Sequence, residues 1–285
     1  MTAFDLVSRI GESEVLDRIG DPLGKLASRI PKGAVKDALS GTWLGHPLHP
    51  LLTDVVIGAF TSASVVDVVG GSGGAPAAQT LVGLGLAAAV PTIAAGLSDW
   101  SDTYGHDKRV GVAHAASNAT GTALQVLSLM ARRRGHRGTG AFLSLLGLGA
   151  MTVGGYLGGY LSYGRGIGVN NAFWQEPPED WTPVLDESEL ADGRAIKVSA
   201  NGATVLLYRH GGRIQAIGSR CTHAGGPLEE GEIDDEGRCV TCPWHASVFR
   251  LDDGSVVHGP ATTAEPAYDV RVEGGKVEAR VRPRP

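Results

Sequence analysis

Cysteine is scarce in this chain, with three in 285 residues and only three methionines beside them. So few thiols cannot build a disulfide framework, and folding needs no oxidising compartment. Charge is thin too, at 19% of residues, and aromatics make up 6%. A net charge of −5 and the lack of a basic stripe exclude nucleic acid as the expected partner. The opening M-T-A-F-D-L-V-S-R-I-G-E-S-E has no basic stretch followed by an apolar run, so no cleaved secretory signal is expected.

What the chain does have is small and apolar residues, concentrated in the middle. Glycine alone numbers 42. Four segments, Leu51–Val69, Ala77–Leu97, Val110–Met130 and Ala141–Tyr163, each approach the twenty or so residues that span a bilayer. Turn-like or charged breaks separate them: G-G-S-G-G-A-P, S-D-W-S-D-T-Y-G-H-D-K-R and R-R-R-G-H-R-G. A four-helix transmembrane bundle over 43–163 is the expected arrangement, with the lipid bilayer as its surroundings and a multi-pass place in a cell membrane. Small residues four apart, Gly154/Gly158 and Gly155/Gly159, would let helices approach closely. Asp54 and Asp67 in the first segment, and His114, Asn118, Thr122 and Gln125 in the third, are polar groups at membrane depth. Such groups are costly there and mark either function or inter-helix bonding.

Ahead of the bundle, residues 1–42 carry Leu16, Ile19, Leu23, Leu26 and Ile30 at helical spacing. Asp21-Pro22 has the form of an N-cap followed by a first-turn proline, which predicts a break between two short amphipathic helices there. With Arg18, Lys25, Arg29, Lys32 and Lys36 these helices suit either an anionic membrane surface or packing on the protein itself.

Residues 164–180 read as a glycine- and proline-rich linker. From Trp181 the pattern changes to short β-rich runs, A-I-K-V, A-T-V-L-L-Y, R-I-Q-A-I, Y-D-V-R-V-E and K-V-E-A-R-V, separated by turns such as Asn201-Gly202 and Gly274-Gly275. An all-β domain over 181–284 is expected.

Within it lie Cys221-Thr-His223 and Cys242-Pro-Trp-His245. Two thiolates and two imidazoles on two short loops suit a 2Fe-2S cluster in which histidines bind one iron, or a structural zinc ion. The flanking C-T-H-A-G-G-P-L and C-P-W-H-A-S-V-F-R-L-D-D-G-S-V-V-H-G-P-A resemble the two cluster loops of the Rieske ferredoxin family nearly residue for residue. That resemblance implies an ISP-like β domain with one Rieske 2Fe-2S cluster. It assigns Cys221 and Cys242 to one iron and His223 and His245 to the other. It also identifies departures from the quinol-oxidising subtype. Gly226 and Trp244 stand where that subtype has two clamping cysteines. Ser247 keeps a hydroxyl beside the cluster, while Phe249 replaces a tyrosine, which implies a potential in the lower part of the Rieske range. Cys239 reads as a small buried strand residue, and His210 and His258 as turn or surface residues.

The G-H-P-L-H-P motif at Gly45–Pro50, with the four apolar segments, resembles an uncharacterised family of bacterial four-helix membrane proteins found beside or fused to redox domains. An even number of spans puts His46, His49, His106 and His114 near the face that carries both termini. With Asp54, they are candidates for binding haem b or for accepting protons from a quinol. Lys and Arg close to the spans number six on the termini side (Arg29, Lys32, Lys36, Lys108, Arg109, Arg165) and four, packed into one short loop, on the other (Arg132, Arg133, Arg134, Arg137); the count favours a cytoplasmic C-terminal domain, while the dense loop pulls the other way.

The leading expectation is a membrane-anchored one-electron carrier between an undefined donor and acceptor, protein or quinol. The alternatives are a quinol- or haem-linked membrane oxidoreductase subunit and a non-catalytic redox sensor. A Rieske oxygenase catalytic subunit is not expected. Its mononuclear iron needs a 2-His-1-carboxylate triad, and only His258 follows His245.

Overall fold

The computed structural model describes residues 2–283, so the expected domain end at Arg284 lies outside the described residues. The chain divides into two compact units. One comprises the chain up to Ile30 with Leu48–Ile167, and the other Pro31–Pro47 with the chain from Gly168 on.

The first unit is helical. Helices α1 (Ala3–Glu12) and α2 (Asp17–Ala27) precede four long ones: α4 (Leu48–Val69), α5 (Ala75–Trp100), α6 (Gly105–Arg133) and α7 (Arg137–Gly159). The seven-residue α3 (Ala34–Ser40) belongs to the second unit. A reciprocal box starts α1, with Asp5 N–H donating to Thr2 Oγ1 and Thr2 N–H to Asp5 Oδ2. The break between α1 and α2 falls at residues 13–16, and not at Asp21. Pro22 sits inside α2, one and a half turns from its start, a position the helix tolerates because only one early backbone bond is lost.

By length and composition α4, α5 and the helix from Arg137 to Gly164 can cross a membrane, and α6 is not among them. The count of four spans is therefore three on this criterion. The reason is visible in how α6 packs. Its polar side chains turn inward: Gln125 Nε2 donates to Ser144 O (3.0 Å), Ser144 Oγ to Gln125 Oε1 (2.9 Å), Ser117 Oγ to Ala150 O (2.8 Å) and Ser128 Oγ to Gly140 O (2.6 Å). Its outward face is Ala115, Ala116, Ala119, Thr120, Ala123, Val126, Leu127 and Met130, and the Thr120 hydroxyl there donates back to Ala116 O (2.9 Å). Composition averages the two faces and misses the split.

Asp67 has a structural partner. Its carboxylate and the Arg132 guanidinium form a buried ion pair (Nη1 to Oδ1 2.8 Å), braced by Arg132 Nε to Ser128 Oγ (3.1 Å). The bundle core is Val56, Phe60, Ala63, Val82, Ala89 and Met151. Of the two small-residue pairs, only Gly154/Gly158 meets a neighbour, while a Cβ at Gly155 would touch nothing. Helices α1 and α2 pack on α6: Val7 is buried against Val110 and Leu157, and Arg109 grips Asp17 (2.6 and 2.9 Å). Ile19, Leu23 and Leu26 nevertheless point outward.

The second unit is all β apart from α3. Strands β1 (Thr182–Asp186), β10 (Lys276–Val281) and β9 (Tyr268–Glu273) form one antiparallel sheet; β2 (Ala195–Ala200), β3 (Ala203–His210) and β4 (Arg213–Gly218) form the second. The third holds β5 (Glu232–Ile233), β6 (Cys239–Thr241), β7 (Val248–Arg250) and β8 (Val256–His258). Strand β3 divides two cores, because alternate residues face opposite sides. Val205 and Leu207 pack with Val198, Tyr268 and Val277, while Leu206 and Tyr208 pack with Ile217, Val240, Phe249 and both Cys221 and Cys242. That is why A-T-V-L-L-Y reads as a continuous apolar run.

Candidate metal centre

Two loops at one end of the β unit approach each other. The first runs from Ser219 to Leu228 and closes on itself. Cys221 N–H donates to Gly226 O (2.9 Å), Gly225 N–H to Cys221 O (2.7 Å) and Leu228 N–H to Ser219 O (2.8 Å). Gly225 takes φ +78°, a conformation open to glycine at little cost. The second loop joins β6 to β7. Cys242 N–H donates to Ser247 O (2.8 Å) and Ala246 N–H to Cys242 O (3.1 Å), with Ala246 at φ +62°.

The four expected ligands come together as two pairs. Cys221 and Cys242 are buried and unbridged, with their sulfurs hydrogen-bonded to each other. His223 and His245 lie partly exposed with ring centroids 4.9 Å apart and planes at 86°. Among the described residues no three His, Cys, Asp or Glu side chains converge on a point that holds one metal ion. A tetrahedral zinc site needs four ligands around one point, whereas two pairs suit two metal atoms. The donor chemistry fits as well. Donation from the Cys221 thiol, aided by the Trp244 and His245 backbone, lowers Cys242 to about 6 in spite of burial. Cys221 itself is pushed up by that bond, by burial and by the charge of Glu265.

The tuning positions have clear surroundings. A Cβ at Gly226 would lie 2.9 Å from Cys242 Sγ and 3.1 Å from the Trp244 ring. Trp244 therefore closes over Gly226 where a disulfide clamp would otherwise sit, and its outer edge stays exposed. Ser247 is buried and its Oγ accepts from Ala261 N–H (3.0 Å), leaving its own hydrogen to donate. Phe249 is fully buried in the core that holds both cysteines.

Several supports have no signal in the motif. Glu265, buried beneath the first loop, accepts from Thr222 N–H (2.6 Å), and Thr222 Oγ1 donates to Thr263 O (2.7 Å). Residues 168–180 are no free tether: Asn171 Nδ2 donates to His223 O (2.9 Å), Asn171 N–H to Thr222 O (2.9 Å), and Arg220 Nε to Asn171 O (3.0 Å). Of the two settings open to residues 1–42, membrane surface or packing on the protein itself, the stretch from Asp37 to Thr42 takes the second and is strapped to the β unit. Asp37 accepts from Gly259 N–H (2.7 Å) and pairs with His258 Nδ1 (2.8 Å), while Thr42 Oγ1 donates to Ala261 O (3.1 Å). Ala261 is the residue that reaches Ser247. These contacts join positions about 220 apart in sequence, beyond any spacing rule. Cys239 is half-buried, and its thiol is raised by burial and by Asp234. His210 ends β3, stacked on Tyr208 at 6.0 Å.

In the helical unit only part of the expected histidine set assembles. His49 and His114 are neighbours, 6.2 Å between ring centroids. Asp54 lies on the outward face of α4, away from them, because its position follows the helix's exposed stripe with Leu51 and Val55. His46 belongs to the other unit, exposed, its Nδ1 2.8 Å from Pro47 O. His106 pairs with Asp107 at 3.2 Å.

Residues 180–272 match the Rieske [2Fe-2S] domain model, and residues 45–171 match a model described as a predicted membrane protein of unknown function, DUF2231. The ferredoxin subunit of 3-phenylpropionate/cinnamic acid dioxygenase from Escherichia coli K12 is 35% identical over 95 residues, which cover 85% of it and 33% of this chain. The Shigella boydii counterpart is 34% identical over the same shares. The chain belongs to the Rieske [2Fe-2S] family. Among solved structures, the ferredoxin of carbazole 1,9a-dioxygenase from Nocardioides aromaticivorans aligns over 36% of this chain and 98% of its own, at 26% identity and a TM-score of 0.34. The Rieske domain carries a 2Fe-2S cluster and serves electron transfer, and a membrane-protein domain precedes it.

Proposed function

We propose that the chain is a membrane-anchored one-electron carrier, with Cys221 and Cys242 holding the inner iron of its cluster and His223 and His245 the outer one. The observation that carries this reading is the pairing of two buried thiols with two partly exposed imidazoles whose rings lie 4.9 Å apart. When bound, the cluster supplies a single reversible electron, and neutral imidazoles raise its potential relative to an all-thiolate cluster. This chain's own residues do the rest. Buried Cys221 and Cys242 keep water off the sulfurs, and the Ser247 hydroxyl, whose oxygen accepts from Ala261 N–H, would have its hydrogen to donate to a cluster sulfur, a bond that would favour the reduced state. The exposed Trp244 ring, 6.4 Å from the partly exposed His245 between centroids, forms the surface through which a redox partner makes contact.

The relatives are ferredoxin subunits of dioxygenases, which favours a protein as the partner on one side of the transfer. Membrane anchoring rests on the outward face of the helical unit. Val65, Val68, Val90, Phe142, Leu145 and Val153 are exposed there at levels a soluble surface does not sustain over whole helices. Helix α6 joins as a fourth span with its polar face inward, and α2 lies in the interface with Ile19, Leu23 and Leu26 toward lipid. We place the Rieske domain on the cytoplasmic side. The test is reduction of the purified full chain by a ferredoxin reductase and, separately, by a quinol analogue. The carrier reading expects rapid reduction by the protein donor, and reduction by quinol alone contradicts it.

A further inference from the structure

Helices α4 and α5 form one hairpin of the helical unit, and α6 and α7 the other. His49 comes from the first and His114 from the second, yet their rings lie 6.2 Å apart with planes at 74°. The same device fixes both. His49 Nδ1 is 2.9 Å from Thr92 O on α5, and His114 Nδ1 is 2.8 Å from Gly154 O on α7. A carbonyl oxygen only accepts, so each Nδ1 carries the hydrogen and each neutral ring keeps its in-plane lone pair on Nε2. Asn118 Nδ2 does not use up that lone pair on His114. It stands 3.2 Å from Nε2 and 3.5 Å from Nδ1, and near-equal distances place the amide over the ring face.

Space is reserved for these side chains. A Cβ at Gly96 would lie 2.7 Å from two atoms of the His49 ring, one at Gly158 3.0 Å from His114 Cε1, and one at Gly154 2.5 Å from Asn118. Three glycines on two helices thus make room for His49, His114 and Asn118. Histidines that serve only as struts between helices need one bonded nitrogen each, with no reason for the two rings to meet. Metal-bound histidines, in contrast, donate the other ring N–H to a carbonyl or carboxylate, which sets tautomer and orientation. With a metal–imidazole bond of about 2 Å, two rings on opposite sides of one metal have centroids roughly 6 Å apart.

We propose that His49 and His114 are the two protein ligands, through Nε2, of a single imidazole-binding transition-metal centre between the hairpins. The metal is either the iron of a haem or a bare ion such as copper. This site lies in the helical unit and does not depend on how the cluster is held.

The test uses the full chain in detergent, titrated with haemin and, separately, with Cu(II). Binding is read from the optical spectrum, a pyridine haemochrome assay and metal analysis after desalting. The expected result is close to one equivalent of one of the two, with affinity falling at least tenfold in His49→Asn and in His114→Asn while acid-labile sulfide is unchanged. The haemochrome assay separates haem from bare copper. Gly158→Ala keeps both histidines but pushes on the His114 ring, so it should shift the spectrum or weaken binding even if a histidine variant fails to fold. Failure of the wild type to take up either probe at one equivalent overturns the proposal, as does undiminished binding in both histidine variants. Loss of sulfide with metal uptake retained would count against the cluster assignment alone.

Discussion

Removing the Asp37 carboxylate should loosen the Rieske domain although Asp37 lies far upstream in sequence. Its Oδ1 accepts from the buried Gly259 N–H at 2.7 Å and its Oδ2 pairs with His258 at 2.8 Å. The first is a charge-assisted bond, worth about 1.5–3 kcal/mol, and its loss leaves a buried N–H unsatisfied. The second involves a half-exposed histidine and contributes up to about 1 kcal/mol. Together Asp37→Ala should cost about 2–4 kcal/mol. For a unit of this size that lowers the unfolding midpoint by roughly 6–16 °C. Bleaching of the cluster's visible absorbance on heating at fixed scan rate measures it. Asp37→Asn keeps an acceptor for Gly259 and should lose about half as much. An Asp37→Ala midpoint within a degree or two of wild type would refute the claim that residues 31–47 are part of the domain.

Gly226→Ala should strip the cluster, because its Cβ would sit 2.9 Å from Cys242 Sγ against the Trp244 ring; sulfide analysis of the purified variant measures this, and full occupancy contradicts it. Asp67→Ala leaves the buried Arg132 charge without its carboxylate and should cost about 3–5 kcal/mol, seen as a lower denaturation midpoint of the helical unit in detergent. Burial alone would raise Glu229, but Lys197 and the Ser219 hydroxyl outweigh it and hold the carboxyl below the usual glutamate range. Its stabilisation is therefore full above that range and lost as pH falls through the depressed value, so Glu229→Gln should flatten the acid limb of a midpoint–pH profile. With Phe249 unable to donate, the cluster potential should fall in the lower part of the roughly −150 to +300 mV Rieske range, and Phe249→Tyr should raise it; a wild-type value near the top contradicts this.

Much of the fold is legible locally. The strands from Ala195 to Ile217 and from Tyr268 to Val281 follow from short β-rich runs between Gly-containing turns, and the cluster loops from the fixed spacing of their Cys and His. The short strands β5 to β8 are not readable in this way, since two or three residues carry no period. The strap 31–47, Asn171 and Glu265 escape for a different reason. They act through bonds to residues distant in sequence, and an aspartate at the surface end of a helix looks the same whether or not a loop docks on it. Polar residues of α6 are visible in sequence, but their inward direction is set by neighbouring helices. The histidine set shows the same limit: shared membrane depth is readable, while the pairing of His49 with His114 and the exclusion of Asp54 depend on helix rotation.

If Cys221, His223, Cys242 and His245 hold one Rieske cluster in the full chain, its reduced state is paramagnetic. Electron paramagnetic resonance of the dithionite-reduced protein in detergent, with acid-labile sulfide measured on the same sample, tests that ligation most directly. The reduced protein should give a Rieske-type signal with two sulfides per chain, both abolished in Cys242→Ser. Stoichiometric zinc with no sulfide and no signal would contradict it.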